Sequence, residues 1–455
     1  MHLSLLTSLT VLLAGLVEVS AQAAKTYKPA PVPSGKTYYG QSEFSKLAKT
    51  KKVSSTHFRV YNTTAKKAAQ VVQVLEGAYD CFVNDMGFAD TGVSIKNSPS
   101  SGPYWKSNIF TAKTDGVAGF VTSDWQTGLA YMVMDQSYVN ISSILVHEYG
   151  HILTYHAVNS KWWMSSRASG WAEPLANFFS EIYHSSSFCA SARSKANAKE
   201  GWTLFTPQIV IGASYLSIID ATRNVFNNEY QSWPFIHYLT MNIDKYPNLG
   251  RDMVRTLFNT YNSTANETPF HTLQRLVGPS VKVQKMLTKY WARMAYIDFA
   301  DTKWYTQYYY TASSVSYDNL DYTSVANTYR VQQARQPKYL GASIIPLVVS
   351  GTGQNTIRVT GNMPFSATLS ILGADRTARN VRYVNVPAVP GKFVKAVKFA
   401  LKEGEDATLT VVNTPRQLLT YDTRATNEGD VAKGLDFTVK MNKRVQPRGR
   451  SWVGT

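Results

Sequence analysis

The sequence predicts an α+β protein in which a mixed N-terminal region is followed by helices and then by a small antiparallel β-sandwich. In several segments between residues 56 and 296, apolar residues recur at three- and four-residue intervals, as on the buried face of a helix. After about residue 335, short runs rich in Val, Ile and Thr alternate with turns rich in Gly, Pro, Asn and Asp, which is typical of antiparallel strands. A length of 455 residues favours two or three domains.

The predicted elements follow one another in order. A strand at 56–61 precedes a helix over 64–86, which Thr63 or Thr64 would cap and Gly87 would end. The best strand candidates after it are 108–111 and 129–134. Further helices are predicted at 140–156, 171–184, 232–241, 249–260 and 281–296. The β-rich runs are 344–349, 356–359, 367–371, 395–400 and 407–412.

Residues 1–23 have the composition of a secretory signal peptide. The apolar stretch from Leu3 to Val17 is followed by small residues that fit a cleavage site. This stretch is shorter than the ~20 apolar residues that span a bilayer, and no later segment is long and apolar enough to do so. We therefore expect a secreted, extracellular protein with no transmembrane segment. Residues 24–55 have no apolar period and are expected to form a linker or a pro-segment.

Two other features agree with export. The two cysteines, Cys81 and Cys189, either form one disulfide, as an oxidising compartment permits, or remain as two buried thiols. Four Asn-x-Ser/Thr sequons occur, at Asn62, Asn140, Asn262 and Asn266. Sequons also arise by chance, so they add only a little to the expectation of a secreted glycoprotein.

The net charge of +17 favours anionic partners, such as an acidic polysaccharide or a cell surface. Basic residues cluster near the two ends of the chain, at Lys46, Lys49, Lys51 and Lys52 and at Lys440, Lys443, Arg444, Arg448 and Arg450. Solvated faces and tails are the simpler interpretation of these clusters. We expect no nucleic-acid partner, because no nucleic-acid-binding motif occurs among the basic residues.

The string from His147 to His151, His-Glu-Tyr-Gly-His, is the motif that carries chemistry. Residues four apart on a helix share one face, so both imidazoles can direct a nitrogen at one ion. Zn²⁺ accepts imidazole and tolerates three protein ligands plus a water, whose pKa it lowers toward ~7. Glu148 would take the proton of that water as general base. Gly150 is a poor helix former, and its small size would let another backbone approach. Two histidines that bind no metal are the alternative.

This helix resembles the active helix of the zincin metallopeptidases. The metzincin branch does not fit, because Thr154 and Ala157 stand where that branch has Gly and a third His. The gluzincin branch takes its third ligand from a Glu on a following helix, and Glu173 matches that position. The resemblance therefore implies a Zn²⁺ ion held by His147, His151 and Glu173.

Residues around the third ligand both match the gluzincin pattern and depart from it. Asn177 stands at the family position that steadies the first His ligand, although most members have Asp there. Pro174 is tolerated in the first turn of a helix, which would place Glu173 at the helix start. An ordinary helix-start carboxylate is the alternative for Glu173, and Glu181 is the reserve ligand. His156 lies off the ligand face and is expected to pack in the interior or lie at the surface.

The zincins also take a donor to the reaction oxyanion from a later segment of the chain. Tyr230, His237 and Tyr238 are the candidates here, and packing is the other interpretation of each.

The chain also resembles an uncharacterised group of secreted microbial proteins that share an HEYGH-type helix, a Trp-rich loop, a Ser-Trp-Pro-Phe helix and a β-rich C-terminus. Together with the residue patterns, these resemblances imply a zincin-like catalytic domain with a mostly helical C-terminal lobe at 56–335, the β-sandwich at 336–440 and a basic tail at 441–455. The resemblance to the zincins and the signal peptide imply a secreted zinc peptidase acting on a protein or glycoprotein substrate, with strand 129–134 as the edge of its cleft. A non-catalytic zincin-fold protein that binds polysaccharide or a cell surface is the alternative. Nothing in the sequence marks the carboxylate pair of a glycan hydrolase.

Overall fold

The computed structural model describes residues 25–33, 35, 44–97, 102–157, 165–218, 228–377, 380–423 and 428–448, without the side chains of 228–231. Helices and antiparallel strands are both present, which confirms the α+β class. The helices are α1 Phe44–Leu47, α2 Ala65–Tyr79, α3 Ser142–Tyr155, α4 Ala172–Ser185, α5 Ala190–Lys195, α6 Pro207–Gly212, α7 Asn228–Met241, α8 Met253–Thr260, α9 Pro269–Val277, α10 Val283–Met294, α11 Thr302–Thr311 and α12 Gly429–Ala432. The strands are β1 Tyr27–Pro29, β2 Lys52–Ser54, β3 Phe58–Tyr61, β4 Tyr104–Ala112, β5 Gly119–Asp124, β6 Leu129–Asp135, β7 Leu320–Tyr322, β8 Thr328–Val331, β9 Ala342–Val349, β10 Asn355–Gly361, β11 Phe365–Leu372, β12 Val381–Asn385, β13 Val394–Phe399, β14 Asp406–Asn413, β15 Phe437–Met441 and β16 Val445–Pro447.

The first sheet has the strand order β2-β3-β4-β6-β5, with β1 pairing on β4. Strands β3, β4 and β6 run parallel, and β2 and β5 are antiparallel to their neighbours. Successive residues of a strand point to opposite faces. Ile109 and Met132 therefore join the large core beneath α2 and α3, while Phe110 and Val133 join a second cluster with Phe44 of α1. The sheet is buried on both faces at its centre.

The strand at the edge of this sheet differs from the prediction. Strand β6, which covers the predicted 129–134, lies between β4 and β5 and so is not an edge. The edge strand on this side of the sheet is β5, antiparallel to β6, with Gly119 opposite Met134. Every residue of β5 is half-buried, so the strand has no alternation of apolar and polar residues that would reveal it.

The N-terminal segment, predicted to be a linker or a pro-segment, contributes strands to this sheet. β1 pairs in parallel with β4, and β2 pairs with β3. The Lys25 ammonium lies 2.9 Å from Oδ2 of Asp90, and the Tyr27 hydroxyl donates to the same oxygen at 2.6 Å. These strands are only three residues long, too short for a periodic pattern in the sequence. The predicted signal peptide, 1–23, lies outside the described residues.

Helix α2 has the predicted cap, and together with the π-helical stretch that follows it reaches nearly to the predicted end. The Thr64 hydroxyl accepts from the Lys67 N–H at 3.3 Å, and the helix continues as a π-helical stretch that stops before Gly87, whose φ is 72°. Within that stretch Cys81 forms a disulfide with Cys189, which follows α4. Of the two states left open for the cysteines, the structure has the disulfide.

The C-terminal part contains the predicted antiparallel sheets. Five strands in the order β13-β10-β15-β8-β7 face five in the order β12-β11-β14-β9-β16 across a shared apolar core. The unit is larger than the predicted small sandwich, since β7 and β8 precede residue 336 and β16 pairs with β9. In the described residues of the predicted basic tail, 441–448, β16 is therefore part of a sheet. Residues 449–455 lie outside the description.

The sandwich is attached to the helical lobe by polar contacts as well as by packing. The Ser370 hydroxyl on β11 donates to the Ala292 carbonyl of α10 at 3.0 Å, and the Thr408 hydroxyl on β14 lies 3.0 Å from the hydroxyl of Tyr296. No helix in the described part of the chain has the length and apolar character needed to cross a membrane.

Candidate metal centre

Helices α3 and α4 pack antiparallel and bring the two halves of the predicted site together. A Cβ added to Gly150 would lie 2.9 Å from the Cα of Ala176, so only a glycine permits this approach. The Ser180 hydroxyl donates to the Ser143 carbonyl at 2.8 Å, which ties the two helices further along. The expected role of Gly150 is confirmed, and the close contact places α4 within reach of the α3 imidazoles.

Three side chains converge where the sequence predicts a metal. Oε2 of Glu173 lies 3.1 Å from Nε2 of His147 and 3.4 Å from Nε2 of His151. One ligand atom from each of the three residues lies within 4.8 Å of the other two. These side chains remain partly exposed, so an ion has access to them.

The spacing of these donor atoms fits a small divalent ion. Ligands about 2.0–2.1 Å from a tetrahedral ion are about 3.3 Å apart, which matches both nitrogen–oxygen distances. Two imidazoles and one carboxylate leave the fourth position of a tetrahedron open, as catalytic zinc sites do. The residues present therefore fit a metal, and this donor set suits zinc without identifying it.

Asn177 orients the first imidazole. Its Oδ1 lies 2.9 Å from Nδ1 of His147, so it accepts the Nδ1 proton and leaves Nε2 free to face Glu173. Glu173 is the second residue of α4 and follows a short 3₁₀ turn at Ser169–Trp171. Pro174 is thus in the first turn of the helix, where the sequence predicts it.

The charges of the cluster favour an ionised Glu173. Burial alone would raise the pKa of Glu173, but the imidazoles of His151 and His147 hold it well below its usual range. Burial alone would lower the pKa of His147, but the hydrogen bond to Glu173 and the nearby carboxylates raise it to about 9. The carboxylate therefore provides the negative charge that attracts a cation to this position.

Glu148 is a buried carboxylate beside the three converging side chains. Its side chain is 5% exposed, and its Oε2 has no hydrogen-bond partner among the described residues. Burial raises the pKa of Glu148, although the imidazoles of His147 and His151 oppose this shift. A buried carboxylate oxygen without a hydrogen bond lowers the stability of the fold, so its presence calls for a functional explanation such as a bound ligand or a catalytic role.

Gly119 of β5 is a site residue for which the sequence gives no signal. A Cβ at this position would lie 3.2 Å from Cγ of Glu148 and 2.8 Å from Sδ of Met134. The edge strand thus passes directly over the predicted base. The sequence around Gly119 does not predict this contact with Glu148, because the contact depends on the order of the strands in the sheet.

Two of the three predicted oxyanion donors, His237 and Tyr238, are buried against partners of their own. The Tyr238 hydroxyl donates to Asp244 at 2.5 Å and contacts the hydroxyl of Tyr246 at 2.9 Å. His237 is 1% exposed, stacks on Trp304 and lies 3.6 Å from a carboxylate oxygen of Asp301. Packing is thus the correct interpretation of these two residues. The side chain of Tyr230 lies outside the described part of the chain.

Glu181 and His156 are also accounted for by packing. Glu181 is fully buried, and its carboxylate accepts from four donors, the Ser185 and Thr203 hydroxyls, the Leu204 N–H and the Trp304 indole. It is therefore not available as a reserve ligand. His156 is 1% exposed at the end of α3, which confirms that it packs in the interior.

Comparison with known proteins places the chain in a family. A model described as a family of unknown function, DUF6055, matches residues 19–363. The chain belongs to the DUF6055 family. The matched region of this DUF6055 protein contains His147, Glu148, His151, Glu173 and Asn177, and it ends between β10 and β11. No curated protein matches the sequence.

Proposed function

We propose that this DUF6055 protein is a secreted, zinc-dependent peptidase with a zincin-like catalytic domain that hydrolyses peptide bonds of proteins or glycoproteins. One observation carries the proposal. The ligand atoms of His147, His151 and Glu173 converge beside Glu148, whose buried Oε2 has no hydrogen-bond partner in the described part of the chain. This arrangement combines an open metal site with a base, and both are needed for metal-assisted hydrolysis.

Each side chain of the site has a separate role in the proposed hydrolysis. A zinc ion, when bound, would polarise the scissile carbonyl and acidify a water molecule. Glu148 then accepts a proton from the attacking water and delivers it to the leaving amine. Because burial raises the pKa of Glu148, its basicity is better matched to neutral pH than that of an exposed carboxylate. Asn177 holds the His147 ring in the orientation that coordination requires.

The edge strand supports an extended substrate. Among the described strands, β5 pairs only with β6, so the backbone groups along its other side are available to a peptide. Gly119 lies at the point where β5 meets Glu148, and the absence of a side chain there lets the Glu148 and Met134 side chains pack against the strand. A peptide added to β5 would therefore pass close to the base.

Two features support export. The disulfide between Cys81 and Cys189 is of the kind that persists in oxidising compartments. Three of the four sequon asparagines, Asn140, Asn262 and Asn266, are exposed. Both features agree with a route through the secretory pathway.

Elemental analysis and hydrolysis assays of the purified protein test the proposal. We expect zinc near one per chain and cleavage of protein or glycoprotein substrates that a chelator abolishes and zinc restores. Glu148→Gln should reduce cleavage by about 10²–10⁴-fold while keeping the metal. Glu403→Gln changes an exposed glutamate of the sandwich and serves as the matched control.

The alternative predicts a different outcome. Zinc near one per chain with no turnover of any peptide would favour a non-catalytic zincin-fold protein, and a pull-down on insoluble acidic glycans would then test binding. Equal activity of the Glu148→Gln variant and the wild type would contradict the peptidase.

A further inference from the structure

The turn that leads into α4 decides where Glu173 points. The Ser169 N–H donates to the Ser165 carbonyl at 2.8 Å, and the Trp171 N–H donates to the Ala168 carbonyl at 2.9 Å. Glu173 follows this turn by two residues, in the first turn of α4. A shift of the turn therefore moves the carboxylate relative to the imidazoles of α3.

A threonine from the C-terminal part of the chain spans this turn. The Thr423 hydroxyl donates to the Ser166 carbonyl at 2.8 Å and accepts the Gly170 N–H at 2.9 Å. The Thr423 N–H donates to the same Ser166 carbonyl at 2.9 Å. The hydroxyl thus uses both its donor and its acceptor to join two residues of the turn.

The contact is buried and closely packed. Thr423 is 0% exposed, and a Cβ added to Gly170 would lie 2.7 Å from the Cβ of Thr423. Without the hydroxyl, the Gly170 N–H would have no partner among the described residues, and an unpaired buried donor carries the full cost of its desolvation. The turn would therefore rearrange to find another acceptor.

The segment that carries Thr423 is anchored independently of the metal site. The Leu419 N–H donates to the hydroxyl of Tyr339 at 3.0 Å, and the Tyr421 ring packs against Tyr339 with 5.5 Å between centroids. This segment follows β14 and lies outside residues 19–363, the region that matches the family model. A part of the chain beyond that region thus reaches the immediate neighbourhood of the third ligand.

We propose that Thr423 is a positioning residue for the metal centre, which holds the turn at Gly170 so that Glu173 faces His147 and His151. The proposal concerns the site of the proposed function and rests on that site binding a metal. It does not require that the site be catalytic.

Zinc affinity of the full chain, measured by competition with a chromophoric chelator, tests this role. Thr423→Val keeps the shape and removes the hydroxyl, and it should weaken zinc binding by about tenfold, as loss of an outer-shell hydrogen bond does. Thr423→Ser keeps the hydroxyl and should retain wild-type affinity. Thr420→Val changes an exposed threonine of the same segment and is the control.

A second variant acts from the other side of the contact. Gly170→Ala places a methyl group against Thr423 and should weaken zinc binding to a similar extent. The double variant with Thr423→Val should lose less than the product of the two single losses, because both act on one contact.

The outcomes separate this role from simple stabilisation. If Thr423→Val lowers the melting temperature of the metal-free protein but the folded variant binds zinc like the wild type, Thr423 is structural and the proposal is overturned. If the wild type binds no zinc, this proposal and the proposed function both fail. If the wild type binds zinc without cleaving peptides, and Thr423→Val binds it more weakly, the positioning role stands although the peptidase does not.

Discussion

Asn177 Oδ1 accepts a hydrogen bond from His147 Nδ1 across 2.9 Å, one helical turn after Glu173 on the same helix. The bond fixes which ring nitrogen carries the proton and directs the other toward Glu173, where the proposed ion would bind. A neutral amide performs here the orienting task for which the gluzincins mostly use a carboxylate.

Removal of this amide should weaken the metal site. Asn177→Ala is expected to reduce zinc affinity by about 10–100-fold, the usual loss when the partner of a ligating His is removed. Asn177→Asp keeps an acceptor, adds charge, and should bind at least as tightly as the wild type. Chelator competition measures both, with the exposed Asn84→Ala as control. Equal zinc affinity of Asn177→Ala and the wild type would show that the hydrogen bond does not orient the His147 ring for metal binding.

Gly119→Ala should impair hydrolysis without loss of metal. The new Cβ would lie 2.8 Å from Sδ of Met134 and 3.2 Å from Cγ of Glu148, so the base must shift away from its position. A displacement of about 1 Å can reduce turnover by about 10²-fold, so a shift of a few tenths of an ångström should reduce it several-fold. Gly212→Ala is the matched control, because a Cβ there meets no atom within 4 Å. A turnover rate close to that of the wild type would contradict the prediction that packing against β5 sets the position of the base.

Loss of the disulfide should lower stability substantially. The bond between Cys81 and Cys189 closes a loop with a sequence separation of 108, and the chain-entropy model gives about 4–5 kcal/mol for such a loop. The double replacement by serine should therefore lower the free energy of unfolding by about 3–5 kcal/mol in urea titrations. Reduction of the wild type should produce a similar loss, and the serine variant should not respond to reductant.

Burial of His156 should make the protein less stable in mild acid. Burial lowers the pKa of His156 from 6.5 to about 4, although the nearby charge of Asp90 opposes the shift. Between these values the unfolded chain binds a proton that the folded chain does not, so stability falls as pH decreases through this window. The loss from this group is about 2 kcal/mol at pH 5.

Urea unfolding at pH 7.5 and pH 5 measures this dependence. His156→Gln removes the titrating ring and should show a pH dependence smaller by about that amount. If the variant and the wild type lose equal stability on acidification, His156 is not the group responsible.

The parts of the site that follow from local spacing could be predicted from the sequence. His147 and His151 share a helix face, and Glu173 and Asn177 stand one turn apart on the next helix. Helical period alone places each pair on one face, and the resemblance to the gluzincins joins the two pairs. The apolar periods likewise predicted the long helices and the central sandwich strands.

The parts that depend on distant contacts could not be predicted. The strand order β4-β6-β5 decides which strand forms the edge of the sheet. The residues of a strand do not indicate which other strand it pairs with, so this order could not be predicted. Tyr238 looks like any other polar aromatic residue until Asp244 and Tyr246 are found beside it. The contact of Thr423 with Gly170 joins residues 253 positions apart in the sequence, for which no spacing rule exists.

The pairing of β1 with β4 has a consequence for proteolytic maturation. A processing protease that cut the chain between Pro33 and Phe44 would leave residues 27–29 hydrogen-bonded to β4 and Lys25 held by Asp90. The excised N-terminal fragment would then co-purify with the remainder and separate only in denaturant. Activation by release of an inhibitory peptide from this segment would require the first sheet to give up a strand.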